Sequence, residues 1–179
     1  MSYTNKFPDI KGLNDMNSIK NQFMSLMKSI DEEENKLHSN TPFPNDILNR
    51  LGTLSYAEMV CYDISTIEEW VWDLSIIINR IRIQEARDTK ISAWFEGKLA
   101  KAIALMPDGL LDYMDKMVKY HKLANQYPVV RYLLDEFEYY QRQLVHWNKL
   151  IEDFERKERS LWYRLNQLND IKLPTRNED

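Results

Sequence analysis

One set of residues in the middle of the chain recurs at alternating steps of four and three: Arg80, Gln84, Arg87, Ile91, Trp94, Lys98 and Lys101. That spacing places them on one face of a helix. The face is basic and carries a tryptophan, the combination that single-stranded nucleic acid requires. Cations follow the phosphates, and an aromatic ring stacks a base at about 1–3 kcal/mol. Arg80, Arg87, Trp94, Lys98 and Lys101 are therefore the candidate nucleic-acid-binding residues. The same spacing also fits an ordinary amphipathic flank, with Ile91 and Trp94 half-buried at a helix interface and lysine stems lying over them. A second basic set, Arg142, His146, Lys149, Arg156 and Arg159, is diluted by Asp153, Glu155 and Glu158.

Catalytic constellations are missing from the sequence. The three histidines, His38, His121 and His146, are scattered, and none falls in a His-Glu-x-x-His or Glu-x-x-His motif. No Gly-rich phosphate loop and no Gly-x-Ser-x-Gly turn occurs. His121 falls on an apolar face and reads as a core histidine. The single cysteine, Cys61, rules out an internal disulfide and reads as a small core hydrophobe. The run Asp31-Glu32-Glu33-Glu34 reads as a solvated helix face, because consecutive residues fan out around a helix and do not converge on a metal. The expectation is a protein without enzymatic activity, metal or cofactor.

The elements that must position the basic face are helices. Gly is scarce, at 4 residues, and 29% of the chain is charged, which disfavours a sandwich or barrel. From Val130 to Leu168, steps of three and four give Val130, Leu133, Phe137, Tyr140, Leu144, Trp147, Ile151, Phe154, Glu158, Leu161, Leu165 and Leu168. Only Glu158 is polar, and no Gly or Pro intervenes. The spacing predicts one rod, roughly 60 Å long at the α-helical rise, with a seam for another helix. Pro128 marks its start.

A second seam, Val60, Ile64, Ile67, Val71, Leu74, Ile78 and Ile81, favours one helix from Ser55, whose Ser55-Tyr56-Ala57-Glu58 capping box starts it. A second box at Thr66-Ile67-Glu68-Glu69 allows a break near Asp63 to Thr66 instead. Beyond Ile81 the register turns polar at Glu85, Asp88 and Ser92. Either the helix rolls toward Ile77, Ile91, Trp94 and Ala102, or a polar layer faces Glu158 and nearby arginines. Gly97 suggests a kink or a close backbone approach. After the Pro107-Asp108-Gly109 turn, a short helix turns Leu110, Leu111, Met114, Met117, Val118 and His121 inward.

The N-terminal portion reads as an arm that would dock through Tyr3, Phe7 and Ile10. A helix follows, with Met16, Ile19, Phe23, Leu26, Ile30 and Leu37 on one face, then a Pro-rich linker with one helical turn at Asn45 to Leu51. The expected organisation is residues 1–52 as arm, helix and linker, 53–173 as the main helical body, and 174–179 as a polar tail. The expected fold is all-α, an elongated helical bundle with long coiled-coil-like helices.

Length accounting then predicts a homo-oligomer. The helix after Pro107 is only about 27 Å long and leaves half of the rod with one partner. Phe154, Leu161, Trp162 and Leu165 are therefore expected to be buried by another subunit. Trp70, Trp72 and Trp147 are expected in the core or in such an interface. The net charge of -4 argues against wholesale duplex binding. No apolar leader and no run of the roughly 18 residues a membrane span needs is present, so a cytoplasmic location is expected.

One family shares these features. The segments Glu68-Glu69-Trp70, Arg80-Ile81-Arg82-Ile83-Gln84-Glu85-Ala86-Arg87 and Trp94-Phe95-Glu96-Gly97-Lys98-Leu99 are followed by a long last helix with Tyr139-Tyr140, Trp147 and Arg159. Together they resemble the phage recombination mediators (UvsY-like), over roughly Tyr62 to Ile171. The resemblance implies a small, ring-forming helical protein that binds single-stranded DNA and loads a RecA-type recombinase. It would give Arg80, Arg87, Trp94 and Lys98 the DNA-contacting role. The acidic overall charge and the longer N-terminal portion depart from the family pattern.

Overall fold

A computed structural model describes residues 15–37, 45–59, 61–107, 111 and 113–172. Among them every regular element is a helix: α1 (Met16–Leu37), α2 (Asn45–Thr53), α3 (Tyr56–Met59), α4 (Ile64–Ala104), α5 (Lys116–Ala124) and α6 (Pro128–Lys172). The all-α class follows. The proposed docking of Tyr3, Phe7 and Ile10, the 108–109 turn and the 174–179 tail lie outside the described residues.

The chain groups into two units, and both long helices contribute to each. The first unit is built from α1, α4 from Arg87 onward, α5, and α6 as far as Leu144. The second is built from α2, α3, α4 up to Ala86, and α6 from Val145. This division differs from a boundary at residue 52, because α1 and α2 are both packed elements. Ile30 of α1 is buried at 4% exposure in the first core, and Leu51 of α2 is fully buried in the second.

In the first unit, Ile91, Phe95, Leu99 and Ala102 of α4 meet Leu133, Leu134 and Phe137 of α6. Met16, Ile19, Phe23 and Leu26 of α1 lie against the same core, as the spacing of that helix predicts. Asp15 caps α1, accepting from the Ser18 amide at 2.9 Å. Helix α5 starts later than expected and turns a different face inward. Tyr120, Leu123 and Ala124 are buried, whereas Met117, Val118 and His121 are exposed. His121 is thus a surface residue, with Nε2 3.5 Å from Glu138 Oε1. The Tyr127 carbonyl accepts from the Arg131 amide at 3.0 Å, so Pro128 sits in the first turn of α6, where its missing N–H costs nothing.

In the second unit, Ile67, Trp70, Val71, Leu74, Ile77, Ile78 and Ile81 of α4 pack on Ile151, Phe154, Leu161 and Leu165 of α6. Helix α2 closes this core with Leu51 and is held by charge as well. Arg50 donates to Asp73 at 2.8 Å, and Lys157 Nζ donates to the Leu51 carbonyl at 3.0 Å, capping the end of α2. The Ser55 box forms: Glu58 accepts from the Ser55 amide at 2.8 Å, and its own amide donates to the Ser55 hydroxyl at 3.3 Å. It caps only the short α3. The break before α4 is real, and Asp63, not Thr66, caps α4 by accepting from the Thr66 amide at 3.2 Å. Cys61 lies in this break and is exposed, not a core residue.

Past Ile81, each of the two readings of α4 holds only in part. Ile91 and Phe95 take over the buried face, while Asp88 and Ser92 are also buried. The Ser92 hydroxyl accepts from Gln141 at 2.7 Å. Glu158 takes no part in that layer, and its partner is the Ser75 hydroxyl. A Cβ at Gly97 would meet nothing within 4 Å, so no close backbone approach occurs there.

Candidate nucleic-acid interface

Helix α4 carries every residue of the basic stripe without interruption. Arg80 belongs to the second unit, half-buried and already engaged within the structure. The rest of the candidate set lies in the first unit. Arg87 is forked between two carboxylates of α1: one guanidinium nitrogen is 2.9 Å from Asp31 and another is 2.9 Å from Glu34. Lys90, outside the stripe, pairs with Glu33 at 2.6 Å. The acidic run of α1 is thus not merely solvated, because it faces α4. Glu32 alone turns the other way, toward Lys28 at 3.9 Å.

Ile91, the middle of the stripe, is 1% exposed and belongs to the core. Trp94 is half-buried, with its ring 5.8 Å from Phe23 of α1 and 5.0 Å edge-on to Phe95. Lys98 Nζ lies 4.9 Å from the centre of the Trp94 ring and also donates to Gln22. Cation and ring at that separation attract. Lys101 is exposed. Among the described residues, no carboxylate pairs with Lys98 or Lys101. Burial, and after it the Lys101 charge, hold the Lys98 ammonium below its ordinary range. Two like charges set this close favour an anion beside them. Ile91, Trp94 and the Lys98 stem fit the amphipathic flank, while the Lys98 and Lys101 heads leave cationic surface beside an aromatic ring.

The four residues expected between subunits divide. Phe154 is 1% exposed, Leu161 is fully buried and Leu165 is 5% exposed, all within one chain. The expectation of an intersubunit contact for these three is therefore corrected. Counting only α5 against the rod overlooked α2, which docks with Leu51 and Leu48 on this core. Trp162 stays 49% exposed, and Trp72 and Tyr163 are 70% and 65% exposed. Trp70 is buried edge-on to Tyr62 at 4.7 Å, and Trp147 packs against the second core.

The second unit also has a shallow groove of about 280 Å³, lined by Ser75, Ile78, Asn79, Arg82, Glu155, Glu158 and Arg159. Its polar groups largely answer one another: Arg82 donates to Glu155 at 2.5 Å, and Ser75 to Glu158. Sequence reasoning missed Ser75 because a lone serine beside an apolar seam gives no signal. Among the described residues no group of three His, Cys, Asp or Glu is placed to hold a metal, and no helix is long and apolar enough to cross a membrane. Compared with family models, curated proteins and solved structures, the chain matches none.

Proposed function

We propose that this chain is a non-enzymatic accessory of DNA metabolism that binds single-stranded DNA along α4 and works with a RecA-type recombinase. That is the role implied by its resemblance to the recombination mediators. The observation that carries the reading is the Trp94–Lys98–Lys101 cluster: an aromatic ring under one ammonium, a second ammonium beside it and, among the described residues, no carboxylate paired with either. Phosphates relieve the repulsion between the two cations, and the counterions they release make binding salt-dependent. The test is anisotropy of a labelled oligothymidylate, titrated at two salt concentrations. Lys98→Glu with Lys101→Glu is expected to weaken binding at least tenfold and to flatten its salt dependence. Equal affinity for the variant removes this site.

A second reading has its own support. Trp72, Trp162 and Tyr163 expose large aromatic surface in the second unit, which suits an adaptor or self-assembling protein whose ligand is another protein. Light scattering separates the two readings. A mass increase on adding oligonucleotide that is insensitive to Trp72→Ala and Trp162→Ala supports the first. A multimer without DNA that those substitutions dissociate supports the second.

A further inference from the structure

The acidic end of α1 does more than solubilise a helix. Three of the four acids in its run, Asp31, Glu33 and Glu34, meet α4 cations, and they do so at successive turns: Arg87 takes two of them and Lys90 the third. Arg87, only 22% exposed, is held as a planar fork holds two oxygens of a phosphate. We propose that Asp31–Glu34 is a built-in polyanion that occupies the phosphate positions of α4 and is displaced when single-stranded nucleic acid binds. The proposal rests on the nucleic-acid reading of α4.

Two features make the occupancy exchangeable. Glu33 and Lys90 are each more than half exposed, and such pairs are weak and screened by salt. Ile30 is the last buried side chain of α1 among those described, and it stands just before the acidic run. The acidic turn can therefore let go while Ile19, Phe23, Leu26 and Ile30 stay on the core. Phosphates arriving at Arg87 and Lys90 would then replace protein carboxylates and not free counterions, so those two cations add little to the salt dependence.

The experiment compares the full chain with the triple variant Asp31→Asn, Glu33→Gln, Glu34→Gln, using a labelled 20-nucleotide oligothymidylate from low to moderate salt. The variant is expected to bind about tenfold tighter at low salt, as befits the loss of the three carboxylates that compete with phosphate for Arg87 and Lys90. Its log–log salt slope should steepen by about 1.4, since two cations now carry counterions of their own at about 0.7 each. A control variant with the same charge change, Glu32→Gln, Glu68→Gln, Glu69→Gln, should show neither effect to that extent. Hydrogen exchange on the unaltered chain gives a readout free of any variant: oligonucleotide should speed exchange of the 31–34 amides and leave those of 19–27 unchanged. Tight binding with equal affinity and slope in all three proteins, or unchanged exchange at 31–34, overturns the proposal and leaves the nucleic-acid reading standing. No binding by any of the three overturns both.

Discussion

Phe154 is the residue on which the packing of the second unit is most directly readable. It is 1% exposed, and Lys157 Nζ lies 5.5 Å from its ring while that same ammonium closes the end of α2. The side chain thus touches the core and, through Lys157, the helix that completes it. Truncating a buried Phe removes its transfer free energy and leaves a cavity, at about 3–5 kcal/mol. Phe154→Ala is expected to lower the unfolding free energy from urea titration by that amount, with no change of mass in light scattering. Dissociation of a multimer with stability preserved would return Phe154 to an interface between chains.

At the scale of elements, α4 offers two tests. Gly97 is exposed, inside the helix, and has open space where a Cβ would stand. Gly97→Ala should therefore stabilise by about 1 kcal/mol, seen as a higher thermal midpoint. Asp63 caps the same helix, and its bonds to Thr66 and Ser65 hold its carboxyl below the ordinary 3.8. A depressed folded pKa gives a contribution that is complete above the unfolded value and is lost as pH falls through the folded one. Amide protection in the first turn of α4 should accordingly fall below about pH 4 and be insensitive to pH between 5 and 8. The elements themselves were legible wherever a long stripe met clear ends: α6 from Pro128, and the inward face of α1. The α3–α4 break was harder to read, because the apolar register from Val60 to Ile81 runs straight across it and only the local capping chemistry of Asp63 decides. The face of α5 was misread because Met117 and Val118 look like core residues. A short helix has too few turns for periodicity to outvote composition. The basic stripe was legible as spacing, but its ion pairs were not, since nothing in the sequence says that Asp31, Glu33 and Glu34 lie opposite Arg87 and Lys90.

For the whole molecule, the defining fact is two cores, each assembled from separate stretches of chain. Neither unit can be excised as a continuous segment. Substitutions in separate cores should act independently when they share no partner. Leu74, fully buried in the second core, and Leu133, 1% exposed in the first, each cost about 2–5 kcal/mol on truncation to Ala. Native-state hydrogen exchange should then show Leu74→Ala lowering protection in α2 with α5 spared, and Leu133→Ala the reverse. Equal loss everywhere would mean one cooperative body.

Cys61, set outward in the break between α3 and α4, has a consequence for how any larger species can be made. With a single thiol per chain, oxidation can tie copies together two at a time and no further. A non-reducing gel therefore stops at the double band, and a heavier particle in oxidised solution owes its extra mass to surfaces and not to sulfur.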